Sequence, residues 1–152
     1  MTRVEAWCDE YAREVISWQY KPPYDFYDAA SDPADAAEML DPSFAGRYRA
    51  VLDDDGTVAG FWYFRPHDDE VEVGLGLRPE LTGRGRGAAF SGAAIEYARE
   101  QWSPQRFRLF VAAWNARAIR VYEGLGFAEV RRERRTFEVV GVHEFVEMER
   151  PA

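Results

Sequence analysis

The chain has 152 residues, 47% of them apolar, and a formal net charge of −8. This length suits one domain with a substantial core, and the apolar content argues against a disordered chain. The negative charge argues against a general nucleic-acid binder or a binder of anionic membranes, because both partners attract clustered Lys and Arg. We therefore expect one domain over residues 1–152 and a partner that carries a cation or an amine.

Cysteine usage and the N-terminal residues indicate the compartment. Cys8 is the only cysteine, so no internal disulfide forms, and its sequence neighbours offer no second thiol or paired histidine for a structural zinc. Glu5, Asp9 and Glu10 interrupt the apolar core that a signal peptide would need. We expect a cytoplasmic protein without a bound metal or a membrane anchor.

Helical spacing dominates the first 40 residues. Tyr11, Val15 and Trp18 recur near this spacing and predict a helix over residues 9–19. The prolines of "KPPYDFYD" then force an extended or turning path. The stretch "SDPADAAEML" predicts a second helix, with Asp32 as its cap and Pro33 in its first turn.

The pattern changes to strands from Arg47 onward. The stretch "RYRAVLDDDGTVAGFWYF" is two apolar runs joined by Asp-Asp-Asp-Gly, which predicts a hairpin because Asp and Gly tolerate the backbone angles of tight turns. A turn at "PHDD" leads to the strand "EVEVGLGL", whose alternate residues face opposite ways. Its apolar residues share one face, and the other face carries Glu70, Glu72, Gly74 and Gly76.

Helices and strands alternate in the second half. Residues 85–101 predict a helix, and "RFRLFVAA" predicts a strand. The stretch "ARAIRVYEGLGF" predicts a further helix that Gly124 or Gly126 ends, and a strand pair about Gly141 closes the chain. The predicted order is two helices, four strands, helix, strand, helix and two strands, with an optional strand at "TRVEAW". This order predicts an α/β or α+β domain built on a mixed sheet.

The stretch "LTGRGRGAAF" places three glycines at the start of the helix that begins near Gly85. The amides of a first helical turn have no intrahelical partners, the helix dipole adds positive charge, and glycine lets an anion approach the backbone. Arg84 and Arg86 add direct charge. We therefore predict an anion site, of the kind that holds a nucleotide diphosphate.

Two alternatives stay open on this loop alone. The relaxed dinucleotide fingerprint Gly-x-Gly-x-x-Ala matches from Gly83, but Glu100 lies within a predicted helix rather than at the strand end where the ribose contact belongs. The stretch could also be a flexible loop without a ligand. The phosphate loop that ends in Gly-Lys-Ser/Thr is absent from the sequence.

Two blocks of the sequence are most informative when they are considered together: "VGLGLRPELTGRGRGAAF" and "AWNARAIRVYEGLGF". The first resembles the acyl-CoA segment of the GNAT (Gcn5-related) N-acetyltransferase superfamily, a strand and a Pro step before Gln/Arg-x-x-Gly-x-Gly/Ala, with Thr82 in place of the usual Gln or Arg. The resemblance implies a mixed, mostly antiparallel central sheet flanked by helices, with strands splayed at the acyl-CoA site. The second block resembles the family's other characteristic segment at Asn115, Ala118, Tyr122, Gly126 and Phe127.

The resemblance implies acetyl transfer from acetyl-CoA to an amine. The strand amides around Leu75 and Leu77 would bind the pantetheine arm, with room left by the strand's glycines. Tyr122 would be the general acid for the departing thiolate. Asn115 would orient the pantetheine amide or a water, cap its helix, or do both. The diphosphate would lie on Thr82, Gly83, Arg84, Gly85, Arg86 and Gly87.

The resemblance also implies a general base and an acceptor pocket. Glu72 matches a position where several family members carry a glutamate, and Glu70 on the same face is the second candidate, with a water relay as a third route. In this family the N-terminal helices and the following loop usually help to shape the acceptor pocket. Tyr24, Phe26 and Tyr27 would there hold a protonated amine by cation–π attraction, unless they simply fill the core.

The expected function is N-acetylation of a primary amine, with a small amine, an amino acid or a protein N-terminus as acceptor. The alternative from another class is a catalytically idle acyl-CoA-binding or regulatory module on the same fold, which has no need for Tyr122 or the carboxylate face. Homodimers are frequent in the family, so a homodimer is one expected assembly.

Overall fold

A computed structural model describes residues 3–152. Across these residues every helix is too short or too polar to traverse a bilayer. Short 3-10 helices cover Tyr24–Tyr27, Ala29–Ser31, Pro42–Arg47 and Pro79–Leu81. The α-helices are α1 (Asp9–Ile16), α2 (Pro33–Leu40), α3 (Gly87–Trp102) and α4 (Ala116–Gly124). The strands are β1 (Arg3–Ala6), β2 (Tyr48–Leu52), β3 (Val58–His67), β4 (Glu70–Leu77), β5 (Arg106–Ala112), β6 (Ala128–Phe137) and β7 (Gly141–Pro151).

The strands of the described residues form one mixed sheet in the order β1-β2-β3-β4-β5-β7-β6, which confirms the predicted fold class. β1 pairs with β2, β2 with β3 and β5 with β7 in antiparallel fashion. β4 and β5 are parallel, and α3 supplies the crossover that a parallel pair needs. Their register covers Glu70–Glu72 opposite Arg106–Arg108 and is not continued at Val73 or Gly74, as expected where two strands splay.

Backbone contacts group the chain into two compact units. The first contains the described residues up to Tyr63, together with Leu75–Thr82 and Phe137–Gly141. Its core is aromatic: Trp7 stacks on Tyr48 with 5.0 Å between ring centroids, and the Trp7 indole donates to the Met39 carbonyl at 2.9 Å. This hydrogen bond fixes the end of α2 against the segment that follows β1.

The second unit contains Phe64–Gly74, Gly83–Thr136 and Val142–Ala152. The Phe64 ring contacts Tyr97 and Trp102 of α3, with centroid separations of 5.6 Å and 5.2 Å. Phe107 of β5 is fully buried in this unit. The packing fixes α3, and with it the helix N-terminus that follows the glycine-rich loop.

Most predicted elements are confirmed, with shifted ends. The first helix ends at Ile16 rather than at residue 19, and the second has the predicted cap, since Asp32 Oδ1 accepts from the Asp35 amide at 3.3 Å. The optional N-terminal strand is present as β1, although Thr2 of the predicted stretch lies outside the described residues. Gly126, with φ of 94°, provides the left-handed residue after α4.

One prediction about the strands is wrong. Three strands, not four, lie between α2 and α3. The turn predicted at "PHDD" is confirmed at its two aspartates: β3 continues through Pro66 and His67, and the chain reverses at Asp68, whose φ is 53°. Asp is one of the few residues that adopt this left-handed conformation readily, so the turn is placed at the aspartates rather than at the proline.

Candidate functional site

The loop between β4 and α3 has the backbone that its glycines predict. Gly83 has φ of 71° and Gly85 has φ of 74°, in the left-handed region that L-residues with a side chain rarely adopt. Thr82 supports the loop from its start, since its hydroxyl donates to the Pro79 carbonyl at 2.6 Å. Arg84 lies exposed between the two glycines. The alternation of glycine and arginine thus exposes backbone and charge together.

The helix that follows is suited to an anion. α3 begins at Gly87, and Arg86 occupies the N-cap position, where its side chain makes no capping bond. An arginine cannot accept a hydrogen bond, so it does not compete for the first-turn amides as Ser, Thr or Asp would. These amides and the helix dipole favour a negatively charged group at this end.

α4 carries the second block of predicted site residues. Asn115 is buried and caps the helix, with its side-chain Oδ1 accepting from the Ala118 amide at 3.1 Å. The predicted capping role is therefore confirmed, while the ligand role stays a prediction. Tyr122 is half-buried, and its ring lies roughly edge-on to Phe127, 6.1 Å away between centroids.

The two carboxylates of β4 have different surroundings. Arg65 Nη2 donates to Glu72 Oε1 at 3.0 Å, and the Glu72 side chain is 26% exposed. Glu70 is 13% exposed, and its Oε2 lies 2.9 Å from Arg108 Nη2 and 3.4 Å from Arg106 Nε. Glu72 therefore remains more accessible to a substrate than Glu70 does.

Arg108 is the centre of an ion-pair network that sequence reasoning missed. Besides Glu70, it contacts Glu149 at 2.7 Å and Glu147 at 3.8 Å. The alternation Glu-x-Glu on β4 and Arg-x-Arg on β5 was a signal for it, since parallel neighbours in register place these charges side by side. Glu70 thus has a structural role whether or not it has a chemical one.

The C-terminal end of β4 is less open than its glycines suggest. A Cβ atom on Gly76 would collide with the Phe61 ring, so this glycine accommodates an aromatic side chain of β3. The Tyr20 hydroxyl donates to the Leu77 carbonyl at 2.7 Å. Burial, with the nearby Asp28 and Glu80 charges, raises the pKa of Tyr20. The side-chain direction of Gly76 is therefore occupied, and the role of the strand backbone in holding the pantetheine arm stays a prediction.

The predicted acceptor aromatics do not fill the core. Tyr24 and Phe26 are half-buried, and Tyr27 is 39% exposed. The Phe26 ring lies edge-on to Tyr27 at 5.1 Å and to Phe137 at 5.4 Å between centroids. Phe137 was missed because it follows Phe26 by more than a hundred residues in sequence. These side chains form a partly exposed aromatic cluster.

Within residues 3–152, no group of three or more His, Cys, Asp and Glu side chains is arranged to hold a metal ion. Arg84 and Arg86 stand among the loop glycines, and Arg65, Arg106 and Arg108 pair with the carboxylates of β4.

Part of the chain matches a family model and the sequences of known proteins. The family model described as "Acetyltransferase (GNAT) family" matches residues 4–127. Curated relatives include mycothiol acetyltransferases from Salinispora tropica, 34% identical over 91 residues, and Mycobacterium avium, 33% identical over 106 residues. These matches cover 55% and 60% of this chain and 29% and 33% of the relatives. The chain thus spans about a third of the length of the curated relatives it matches.

Solved structures share the fold over nearly the whole chain. A mutant of the spermidine N-acetyltransferase from Vibrio cholerae has a TM-score of 0.70 at 18% identity, covering 99% of this chain and 93% of that one. A ribosomal-protein alanine N-acetyltransferase from Escherichia coli has a TM-score of 0.68 at 20% identity, covering 99% and 94%. At these identities the likeness extends to the fold alone.

Proposed function

Because the chain belongs to the acetyltransferase (GNAT) family, we propose that it transfers an acetyl group from acetyl-CoA to a primary amine. The observation that carries the proposal is the loop with left-handed Gly83 and Gly85 directly before α3, inside the matched residues. This backbone is suited to a diphosphate. In the proposal, Thr82, Gly83, Arg84, Gly85, Arg86 and Gly87 hold the CoA diphosphate, and the backbone at Leu75 and Leu77 holds the pantetheine arm.

The chemistry is nucleophilic attack on a thioester. The neutral amine nitrogen bonds to the acetyl carbonyl carbon, and the resulting tetrahedral intermediate collapses by breaking the carbon–sulfur bond. The amide product loses one proton from nitrogen, and the departing thiolate gains one. The Tyr122 phenol donates the proton to sulfur in this scheme, while Asn115 holds the start of α4 and thereby the position of Tyr122.

A base must remove the proton from the amine. Glu72 suits this task better than Glu70, because it is more exposed and pairs with Arg65 at the surface, whereas Glu70 lies in the Arg108 network. Glu72 acts directly or through a relayed water. The phenol and the carboxylate then divide acid and base work between α4 and β4.

The acceptor is inferred from charge and aromatic content. The net charge of −8 favours a cationic partner, and Tyr24, Phe26 and Tyr27 offer ring faces to an ammonium group. Proteins similar to this chain carry names that include mycothiol, spermidine and ribosomal-protein alanine. A small amine or a peptide N-terminus is the acceptor class that we propose.

One observation favours a second candidate, a non-catalytic acyl-CoA-binding module. Both β4 carboxylates pair with arginines, so each has a structural role that needs no chemistry. Binding alone does not separate the two candidates. Release of the CoA thiol in the presence of a panel of amines does, because only the enzyme produces it.

Thermal unfolding tests the CoA site itself. A ligand that binds only the folded state stabilises it by mass action, by about 2.7 kcal/mol at a hundredfold excess over Kd. We expect acetyl-CoA to raise Tm by several degrees and NAD at the same concentration to leave it unchanged. No shift with millimolar acetyl-CoA would defeat the proposed function, and an equal shift with NAD would favour a dinucleotide site.

A further inference from the structure

One stripe of α4 faces a row of glycines. Arg117, Val121 and Leu125 follow at a spacing of four residues, which places them on one side of the helix. The glycines stand in the loop and along α3. A Cβ atom built on them would lie 3.7 Å from Arg117 Nη1 at Gly83, 3.6 Å from Val121 Cγ2 at Gly87 and 3.7 Å from Leu125 Cδ2 at Gly92.

The three members of this stripe serve different purposes. Val121 and Leu125 are apolar and pack α4 against α3, where glycine allows close approach. Arg117 is the only charged member, and it reaches beyond the helix to the first left-handed glycine of the loop. The helix packing therefore delivers a guanidinium to the same backbone that Arg84 and Arg86 flank.

Arg117 is badly placed for stabilising its own helix. It is the second residue of α4, at the end where the helix dipole is positive and disfavours a cation. An anion bound at the loop would offset this unfavourable interaction between the Arg117 charge and the helix dipole. Arg117 is also half-buried, whereas Arg84 is exposed.

We propose that Arg117 is a binding residue for the CoA diphosphate, reaching from α4 to phosphate oxygens held over Gly83. This inference rests on the proposed function and adds a residue outside the glycine-rich loop. A planar guanidinium donates two parallel hydrogen bonds to phosphate, a geometry that lysine does not reproduce. Arg117 then links the cofactor loop to the helix that carries Tyr122.

Titration calorimetry with three probes tests the assignment. Acetyl-CoA carries the diphosphate and a 3′-phosphate, dephospho-CoA carries only the diphosphate, and pantetheine carries neither. Arg117→Gln should weaken the binding of acetyl-CoA and of dephospho-CoA by about tenfold each and leave pantetheine binding unchanged. Arg120→Gln is the matched control, because Arg120 is exposed on the same helix outside the stripe, and its affinities should equal those of the wild type.

Several outcomes would overturn the proposal. Unchanged affinity of Arg117→Gln for both nucleotides would do so, and a loss confined to acetyl-CoA would move the contact to the 3′-phosphate. Tm without ligand checks folding; if Arg117→Gln unfolds, Arg117→Lys keeps the charge and should still bind both nucleotides a few-fold more weakly, with equal binding contradicting the bidentate role. Wild-type protein that fails to bind acetyl-CoA would defeat the proposed function first.

Discussion

Tyr122 is the side chain on which the proposed proton transfer depends. Its ring packs against Phe127, and Tyr122→Phe keeps this contact while it removes the hydroxyl. If the hydroxyl protonates the CoA thiolate, kcat should fall by at least about 100-fold with unchanged acetyl-CoA affinity. Steady-state rates and titration calorimetry measure the two effects separately.

Tyr97→Phe is the control for this substitution. Tyr97 stacks on Phe64, so its variant also loses one hydroxyl from a packed ring, but at a residue without a proposed role in the reaction. Its kcat should match that of the wild type. Equal turnover of Tyr122→Phe and the wild type would remove the acid role.

The roles of Glu72 and Glu70 can also be separated by conservative substitution. Glu72→Gln keeps the shape and removes the base, so kcat should fall by about 100-fold or more while Tm changes little, because the Arg65 pair is exposed. Glu70→Gln should instead lower Tm, since it takes a partner from Arg108 in a mostly buried network. If Glu70→Gln abolished turnover without a loss of stability, the two assignments would have to be exchanged.

At the scale of elements, the loop before α3 depends on its left-handed glycines. Gly83→Ala and Gly85→Ala each force a Cβ into a conformation that costs about 1 to 2 kcal/mol. The loop should relax away from this geometry and lose the close approach of backbone to phosphate. We expect acetyl-CoA affinity, measured by titration calorimetry, to fall by about tenfold in each variant.

Gly124→Ala provides the comparison. Gly124 is helical, and a Cβ there would meet no atom within 4 Å. Alanine favours helix over glycine, so this variant should be as stable as the wild type or slightly more so, with unchanged affinity. Equal behaviour of Gly85→Ala and Gly124→Ala would mean that the left-handed loop is not what binds the nucleotide.

The elements divide into those that local sequence determines and those that it does not. The Asp32 cap, the hairpin turn and the glycines of the loop are set by neighbours in sequence, and all were predictable. The bonds from Tyr20 to Leu77 and from Arg108 to Glu149 join residues 57 and 41 positions apart. Such contacts depend on which strands become neighbours in the sheet. A single sequence does not specify this pairing.

The same distinction between local and long-range contacts explains which features of the candidate site were predictable. Gly76 stands in a glycine-containing strand that suggests an open path, yet Phe61 of the neighbouring strand covers it. Arg117 sits in an ordinary helical pattern, and only the packing of α4 against α3 brings it to Gly83. Residue types in the matched motifs were therefore predictable, while the side chains that other elements bring to them were not.

At the scale of the whole molecule, the charge distribution must suit two ligands of opposite charge, the anionic diphosphate and the cationic amine. The chain carries a net charge of −8, yet the proposed diphosphate site uses Arg84, Arg86 and Arg117. These needs are compatible because exposed charges further apart than about 8 to 10 Å are largely screened at physiological salt. A local cluster of arginines can hold an anion while the overall field attracts a cationic amine.

The pH dependence of folding stability has an identifiable source in Asp35. Burial, reinforced by the Asp32 and Glu38 charges, raises the pKa of Asp35 from 3.8 to about 6. The folded state therefore holds a proton that the unfolded state has lost, so stability falls as pH rises from about 4 to 6 and stays reduced above. Asp35→Asn mimics the protonated side chain, and it should raise the free energy of unfolding at pH 8 by about 1 to 2 kcal/mol.

Asp41, directly after α2, has the opposite effect on the pH dependence of folding stability. Hydrogen bonds from the Ser43 amide and hydroxyl lower the pKa of Asp41, so its contribution is present above the unfolded pKa and disappears as pH falls through the folded value. Asp41→Asn should therefore lower Tm at pH 8, with a smaller difference as the pH falls through the acid range, whereas Asp35→Asn should raise Tm at pH 8 and have little effect near pH 4. Thermal unfolding across this pH range measures both, and a Tm for Asp35→Asn below the wild-type value at pH 8 would show that the ionised carboxylate stabilises the fold.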